Sequence, residues 1–522
     1  MNKIIYILTV LFLFSACEGD LDLKPISSVS SSNFYNNKTE CELALAGVYH
    51  TLGNQMVYGK TLGITAAYGT DEALYARENL NWPLSTYVFN PSSKQVEGVW
   101  MYLYRGINNA NLLLESLPGA EFKSEEERAY FDAQARFLRA FFYFELVKRW
   151  GNVPLRKHSV ESLDRANNIA LSPAVDTYQF IIDELEAIAP NLPMPKSSTI
   201  GKATQTACWG LLARIYLTRA GFPLKHLPEE SYAMVERYAN LIIESGVHSL
   251  NPDYKTVFLQ EIMGIHDFRE IIFEIQFENI ASEGLREGGA YGSANGIQTL
   301  MSKGPYAGGF SYAALPLVNL YDQDMDSRYA WNIANWKVNK KGQVASISET
   351  YRYYPGKYRR VDHVDGQLIW LEQGNISKNE TGADFPVIRY SDILLMKAEA
   401  LNELGRGAEA LPFLNQVRLR AGLAEIDGSV VAGLESLRDE LKNERSRELC
   451  FEGIRKYDLI RWGDLGNSLN ELDQQMVAAD IPDNYQWLFN APRNFEEKHT
   501  VWPIPLIEME ENTLIKQHEL WR

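Results

Sequence analysis

The run from Arg128 to Trp150 constrains the fold of this chain more than any other stretch. Ala133, Phe137, Ala140, Phe141 and Phe144 recur at helical spacing, while Phe131, Leu138 and Phe142 cover the other faces. A helix apolar on nearly every side needs other helices packed around it, so this segment predicts a central position in a helical body. Gly151 and Pro154 stop it. From about residue 33 to 250 similar periodicity is punctuated by proline and glycine. Trp100, Leu103, Tyr104, Ile107 and Asn111 share one helical face and read as core, and Ala203–Arg219 and Tyr232–Glu244 form a pair divided by Gly221 and Pro223.

The N-terminus has a different character. Lys3 precedes an apolar run, Ile4 to Phe14, too short to span a bilayer, and Leu13-Phe14-Ser15-Ala16-Cys17 closes it with small residues before a cysteine. This pattern predicts a lipoprotein signal peptide over residues 1–16, removed to leave Cys17 as the lipidated first residue. Several acyl chains such as palmitate on Cys17 would hold a soluble body at a membrane. An ordinary secretory signal cleaved beside a cysteine is the alternative. Residues 17–32, with Glu18, Asp20, Asp22 and five serines from Ser27 to Ser32, read as an acidic, Ser-rich tether.

Of the 522 residues, 46% are hydrophobic and 23% charged, enough to bury a large core, and no second apolar stretch is long enough to cross a membrane. The formal charge of −16 becomes −17 once the signal removes Lys3, which disfavours nucleic acid and anionic lipid as partners. Cys41, Cys208 and Cys450 are odd in number and unrelated in spacing, in mostly apolar helical contexts, so buried free thiols are expected rather than disulfides or nucleophiles.

Between 251 and 385 glycines accumulate and clean helical periodicity is lost. One strand is expected here, Ile271 to Phe277, amid a concentration of aromatics that includes Tyr306, Phe310, Tyr312, Tyr351, Tyr353, Tyr354 and Tyr358. Helices return at Pro386. Ala400 and Leu401 lie on one helix, Gly405 marks a turn, and Ala410, Leu414 and Val417 lie on the next, as in a tetratricopeptide hairpin whose small residues allow close crossing. The expected fold is therefore mainly α: one body over 33–522, with a tetratricopeptide-like helical-hairpin scaffold (33–250 and 386–522) and a loop-rich insertion (251–385) forming the ligand face.

Motifs for other chemistries fail on spacing. Five residues separate Gly53 from Gly59-Lys60-Thr61, where a phosphate-binding loop requires four, and Gly289, Gly292 and Gly296 open no helix. Asp322, Asp324 and Asp326 alternate as in a calcium loop, but Ser327 and Ile333 stand where glycine and glutamate are needed; a turn with an Asp326–Arg328 pair is the simpler expectation. The eight histidines form no zinc motif and no Gly-x-Ser-x-Gly elbow occurs, so no metal, cofactor or catalytic residue is expected. Glu444, Arg445, Arg447, Glu448, Glu452 and Arg455 fall three or four apart and are expected to share one helix as supporting charge pairs.

Those charges belong to a longer pattern. Pro386-Val387-Ile388-Arg389-Tyr390-Ser391-Asp392 continuing to Ala400, Asn415 to Leu423, and Glu444 to Gly463 resemble the RagB/SusD family of Bacteroidetes outer-membrane lipoproteins. Ala46-Gly47-Val48-Tyr49, Arg136 to Ala140 leading to Trp150-Gly151, and Pro503-Ile504-Pro505 match the same family, so the resemblance spans essentially the whole mature chain. Gln517-His518 departs from a frequent Gln-Asn ending, and the acids after Cys17 resemble that family's surface-export signal. The resemblance implies a lipid-anchored protein on the outer face of the outer membrane. It implies capture of an oligosaccharide, without catalysis, for a TonB-dependent, SusC-like transporter; peptide-binding relatives and a surface glycan-processing enzyme are the alternatives.

Sugar rings present apolar faces fringed by hydroxyls, so a site needs aromatic platforms beside planar amide, carboxylate or guanidinium groups. Two segments offer both. One contains Asp71, Arg77, Asn79, Asn81, Trp82 and Tyr87; the other contains Tyr291, Asn295, Tyr312, Trp331 and Trp336. Asp71, Arg77, Asn81, Trp82, Tyr291, Trp331 and Trp336 are the expected ligand contacts, with core burial the competing role for each ring.

Overall fold

A computed structural model of the protein describes residues 34–160, 168–278, 288–372, 377–428 and 433–522. Cys17, the 1–16 signal and the 17–32 tether lie outside the described residues. The body is mainly helical. Helices α1 (Lys38–Leu52), α2 (Lys94–Ser116), α3 (Glu125–Trp150), α4 (Ala174–Ile188), α5 (Gln205–Ala220) and α6 (Pro228–Glu244) pack each against the next. After α7 (Tyr254–Met263) and a strand-rich stretch, α8 (Tyr390–Glu403) packs on α6, pairs with α9 (Gly407–Arg420), and is joined by α10 (Leu434–Leu449), α11 (Arg455–Trp462) and α12 (Leu465–Ala478). No described helix is long and apolar enough to cross a membrane.

Local chemistry explains the central helix. The Ser124 side chain accepts the Glu127 N–H at its start, Glu125, Glu126 and Glu127 occupy the first turn, and Lys148 and Arg149 the last, each favourable to the helix dipole. Nearly every side chain from Ala133 to Trp150 is buried. α2 crosses it at Gly106, where a Cβ would stand 2.5 Å from the Phe142 ring, so only glycine permits the approach. The α8–α9 hairpin turns at Gly405, whose φ of +75° is a left-handed conformation that glycine adopts freely. Cys41, Cys208 and Cys450 are buried and unpaired.

The 251–385 stretch carries more regular structure than its composition suggests. Besides α7 it holds short helical turns at Leu315–Leu320 and Arg328–Asn332 and several two-stranded ribbons. β2 (Ile271–Ile275), the expected strand, pairs antiparallel with β10 (Phe385–Arg389) with an irregular register. β1 (Ala73–Tyr75) pairs with β3 (Ser311–Ala313), β4 (Ile333–Ala334) with β7 (Tyr354–Pro355), β5 (Trp336–Val338) with β6 (Val344–Ser346), and β8 (Val361–Val364) with β9 (Gln367–Trp370).

The charged motif is buried rather than solvated, and it does not occupy one helix. Glu444, Arg445, Arg447 and Glu448 lie on α10, Glu452 falls beyond its end, and Arg455 opens α11. Glu448, fully buried, accepts hydrogen bonds from Arg328 and Arg389 (3.1 Å each) and Arg420. Burial opposes ionisation of Glu448, but the charges of Arg420, Arg389 and Arg328 prevail and hold its carboxyl well below the usual range. Arg389 also reaches Glu270 and Glu452, and Arg328 pairs with Glu444 and with Asp326, the partner expected for that acid. A second cluster joins Arg445 to Asp392 and Asp458, and Arg461 to Asp458 and Glu399. These bonds tie α10 to α8, α9, α11 and the β2–β10 ribbon, so long-range geometry, not i,i+4 pairing, explains the residue choice.

Candidate functional site

The short β1–β3 ribbon is fixed to the scaffold by two adjacent acids. Asp71 accepts from Arg455 Nε and Nη2 at 3.0 and 2.6 Å, and Glu72 Oε1 accepts the Phe451 N–H at 2.7 Å. Burial pushes the Glu72 carboxyl up to about 8. β1 then aligns Leu74 with Tyr312 and Tyr75 with Ser311, and Ala313 bridges on to Tyr353. Phe310 immediately precedes β3 and Tyr312 lies at its centre.

Rings continue outward from both. Arg77 lies over Phe310 at 4.9 Å and donates to the Ala76 carbonyl at 2.7 Å and to that of Gly308. Tyr312 contacts Trp487 with ring centres 6.4 Å apart; Trp487 neighbours Tyr485 at 5.7 Å, and Tyr485 neighbours Tyr351 at 5.4 Å. Arg352 stands 5.8 Å from the ring centres of both Tyr312 and Tyr485. Phe310, Tyr351, Tyr353, Tyr485 and Trp487 are half-buried, while Asn79 and Asn81 are exposed beside Arg77. The result is an arc of partly exposed aromatic edges and faces with two guanidinium groups and two amides along it. Phe310 also lines one end of a cleft of about 1140 Å³, whose walls include Tyr49, Lys60, Glu274, Gln276 and Tyr306.

Of the expected contacts, Arg77 and Asn81 lie on this arc, the first half-buried and the second exposed. Asp71 is half-buried and held by Arg455, so its role is positional. Trp82 is only 4% exposed: it stacks on Tyr75 at 4.8 Å and 26° and backs Phe310 at 6.3 Å, supporting the arc from beneath. Tyr291 is fully buried, stacked on Phe385 at 4.6 Å, with its hydroxyl donating to the Tyr58 carbonyl at 2.6 Å, and has no ring face to offer a ligand. Trp331, 3% exposed, lies under Arg359 at 4.2 Å. Trp336 is half-buried on β5 against His363 and joins Trp331 only through Arg359, away from the arc's own ring contacts. The bulk that makes a tryptophan a good platform also draws it into the core, which is why three of the expected rings are covered. Tyr485 and Trp487 were not expected; the signal was Pro482-Asp483-Asn484 ahead of two rings spaced to suit no apolar α-helix face, in a segment that forms the 3-10 helix Asp483–Phe489.

A helical-hairpin scaffold that locks its charged residues inside and presents an aromatic arc on short ribbons has the form of a binding protein. A family model described as "SusD family" matches residues 270–521, and one described as "Starch-binding associating with outer membrane" matches residues 21–217. The chain belongs to the SusD family. It is 27% identical to SusD-like protein P25 of Formosa agariphila, over 99% of this chain and 98% of that one. To the starch-binding protein SusD of Bacteroides thetaiotaomicron it is 24% identical over 86% of this chain and 87% of that one. Among solved structures, a SusD homolog from B. thetaiotaomicron superposes with a TM-score of 0.84 at 27% identity, covering 94% of this chain and 98% of that one. Surface glycan-binding protein A from B. thetaiotaomicron, in complex with laminarihexaose, shares the fold with a TM-score of 0.72 at 21% identity over 92% and 99%.

Proposed function

We propose that this protein is a cell-surface binding lipoprotein that captures an oligosaccharide, without catalysis, and delivers it to a TonB-dependent, SusC-like transporter in the outer membrane. The observation that carries this reading is the set of half-buried rings Phe310, Trp487, Tyr485 and Tyr351, linked through Tyr312, itself only 4% exposed, and flanked by Arg77. Its rings suit the apolar faces of sugars, and Arg77, Arg352, Asn79 and Asn81 suit their hydroxyls. The naming of relatives as starch-binding, and of a protein of the same fold in complex with laminarihexaose, supports a glycan over a peptide. Binding without catalysis is supported by the naming of a relative as a binding protein. Attachment through Cys17 keeps the body at the membrane surface where such a transporter opens.

A glycan array probed with the purified chain, followed by calorimetry on the strongest hit, tests the reading. Tyr485→Ala is expected to weaken binding by about 2 kcal/mol, the cost of losing a hot-spot ring. Unchanged affinity removes the arc from the site, and release of shorter sugars from the bound glycan overturns the non-catalytic role. Cys17→Ala is expected to release the folded protein from membranes.

A further inference from the structure

Beneath the wall of the cleft, three segments distant in sequence bring together His266, Glu274 and Asp384. His266 follows α7, Glu274 lies on β2, and Asp384 immediately precedes β10. His266 Nδ1 stands 3.1 Å from Glu274 Oε1 and 3.2 Å from Asp384 Oδ2, and the three atoms lie within 4.8 Å of one another. Two ligands bound to one tetrahedral zinc at about 2.1 Å are separated by about 3.4 Å, so this triangle has the size of a coordination face.

Two further observations point to an occupant. Asp384 Oδ2, in a residue 1% exposed, faces the imidazole without a hydrogen-bond alignment and has no other hydrogen-bond partner among the described residues, although Oδ1 of the same carboxyl accepts the Phe277 N–H at 2.7 Å. Glu261 on α7, also 1% exposed, has Oε2 buried without a partner, and its backbone carbonyl accepts the Asp384 N–H at 3.0 Å. Three carboxyl groups thus share one buried corner with a single imidazole. An unpaired buried charge is costly, and an added cation relieves it.

We propose that His266, Glu274 and Asp384 form a binding site for a divalent transition-metal ion of the zinc type. Imidazole selects such ions over calcium and magnesium, which take oxygen alone. The Gln276 amide lies 3.4 Å from His266 Nε2, the nitrogen turned away from the triangle, and donates to Glu274 Oε1 at 2.8 Å, so it is placed to orient both groups. The ion would clip the turn after α7 to the β2–β10 ribbon at the point where Glu274 meets the cleft. No sequence motif marks the site because its residues come from three separate segments.

The test uses the tag-free purified chain, stripped of metal and titrated calorimetrically with zinc chloride, with cobalt(II) as a spectroscopic stand-in. The proposal expects one zinc equivalent per chain, a visible absorption band for bound cobalt, and a rise in Tm with zinc. His266→Gln and Asp384→Asn should each weaken zinc by about tenfold or more. Absence of zinc binding, or binding that both variants retain, overturns it. So does a preference for calcium over zinc. A His266→Gln variant that melts lower than the parent with no response of either to zinc identifies an imidazolium bridge only, and also overturns it.

Discussion

Arginine does opposite work in two parts of this molecule. Around α10, Arg328, Arg389, Arg420 and Arg445 are buried, and each binds two or more carboxylates drawn from different elements. On the arc, Arg77 and Arg352 are half-buried and lie against aromatic rings. The first arrangement directs its guanidinium groups at several carboxylates inside the protein and gives one geometry. The second leaves planar cations at a surface, where stacking and hydrogen bonding to a ligand remain open. Fixing the scaffold so firmly is what allows a ligand face to rest on strands of two to five residues.

If that contrast holds, damage to the two regions should separate. The largest effect is expected at Glu448. Glu448→Ala takes one carboxylate from each of Arg328, Arg389 and Arg420 and should destabilise the fold by about 3–5 kcal/mol, measurable as a lowered midpoint in denaturant. Trp82→Ala should cost about 3 kcal/mol or more in stability, since it removes a buried ring from under Phe310. Any affinity it loses should therefore accompany a lower Tm, which distinguishes a supporting ring from a contacting one.

A smaller effect is expected from pH at Glu72. Its folded pKa of about 8 lies above the ordinary carboxylate value, so the neutral form is the one the fold favours. The contribution is complete below the unfolded pKa and declines as pH rises through about 8. Thermal melts between pH 5 and 9 should show Glu72→Gln flattening that decline. Least of all, Ser124→Ala removes the α3 cap and should cost about 1 kcal/mol, without touching binding.

The same contrast explains what the sequence made legible. Periodicity located α3 to within three residues of its start, and the hairpin around Gly405 appears as α8 and α9. Both are local patterns, fixed by spacing along one segment. The α10 charges were visible as a cluster, but Arg328, Arg389 and Arg420, the partners of Glu448, lie 28 to 120 positions from it and no local rule joins them. The ligand face was hardest. Arg77 and Asn81 were expected from residue chemistry and lie on the arc, but whether a ring such as Tyr291 or Trp487 faces solvent depends on which loop covers it. Composition is nearly silent on that point: both are aromatics in irregular chain, one stacked in the core and the other half-buried on the arc.

The most direct test of this division is to measure Kd for the array-identified glycan and Tm side by side for Trp487→Ala. Separate scaffold and ligand face predict an affinity loss of about thirtyfold, equivalent to about 2 kcal/mol, with Tm close to the parent's. Parental affinity in a variant that melts like the parent, or a loss of affinity explained by a collapse in Tm, would contradict it.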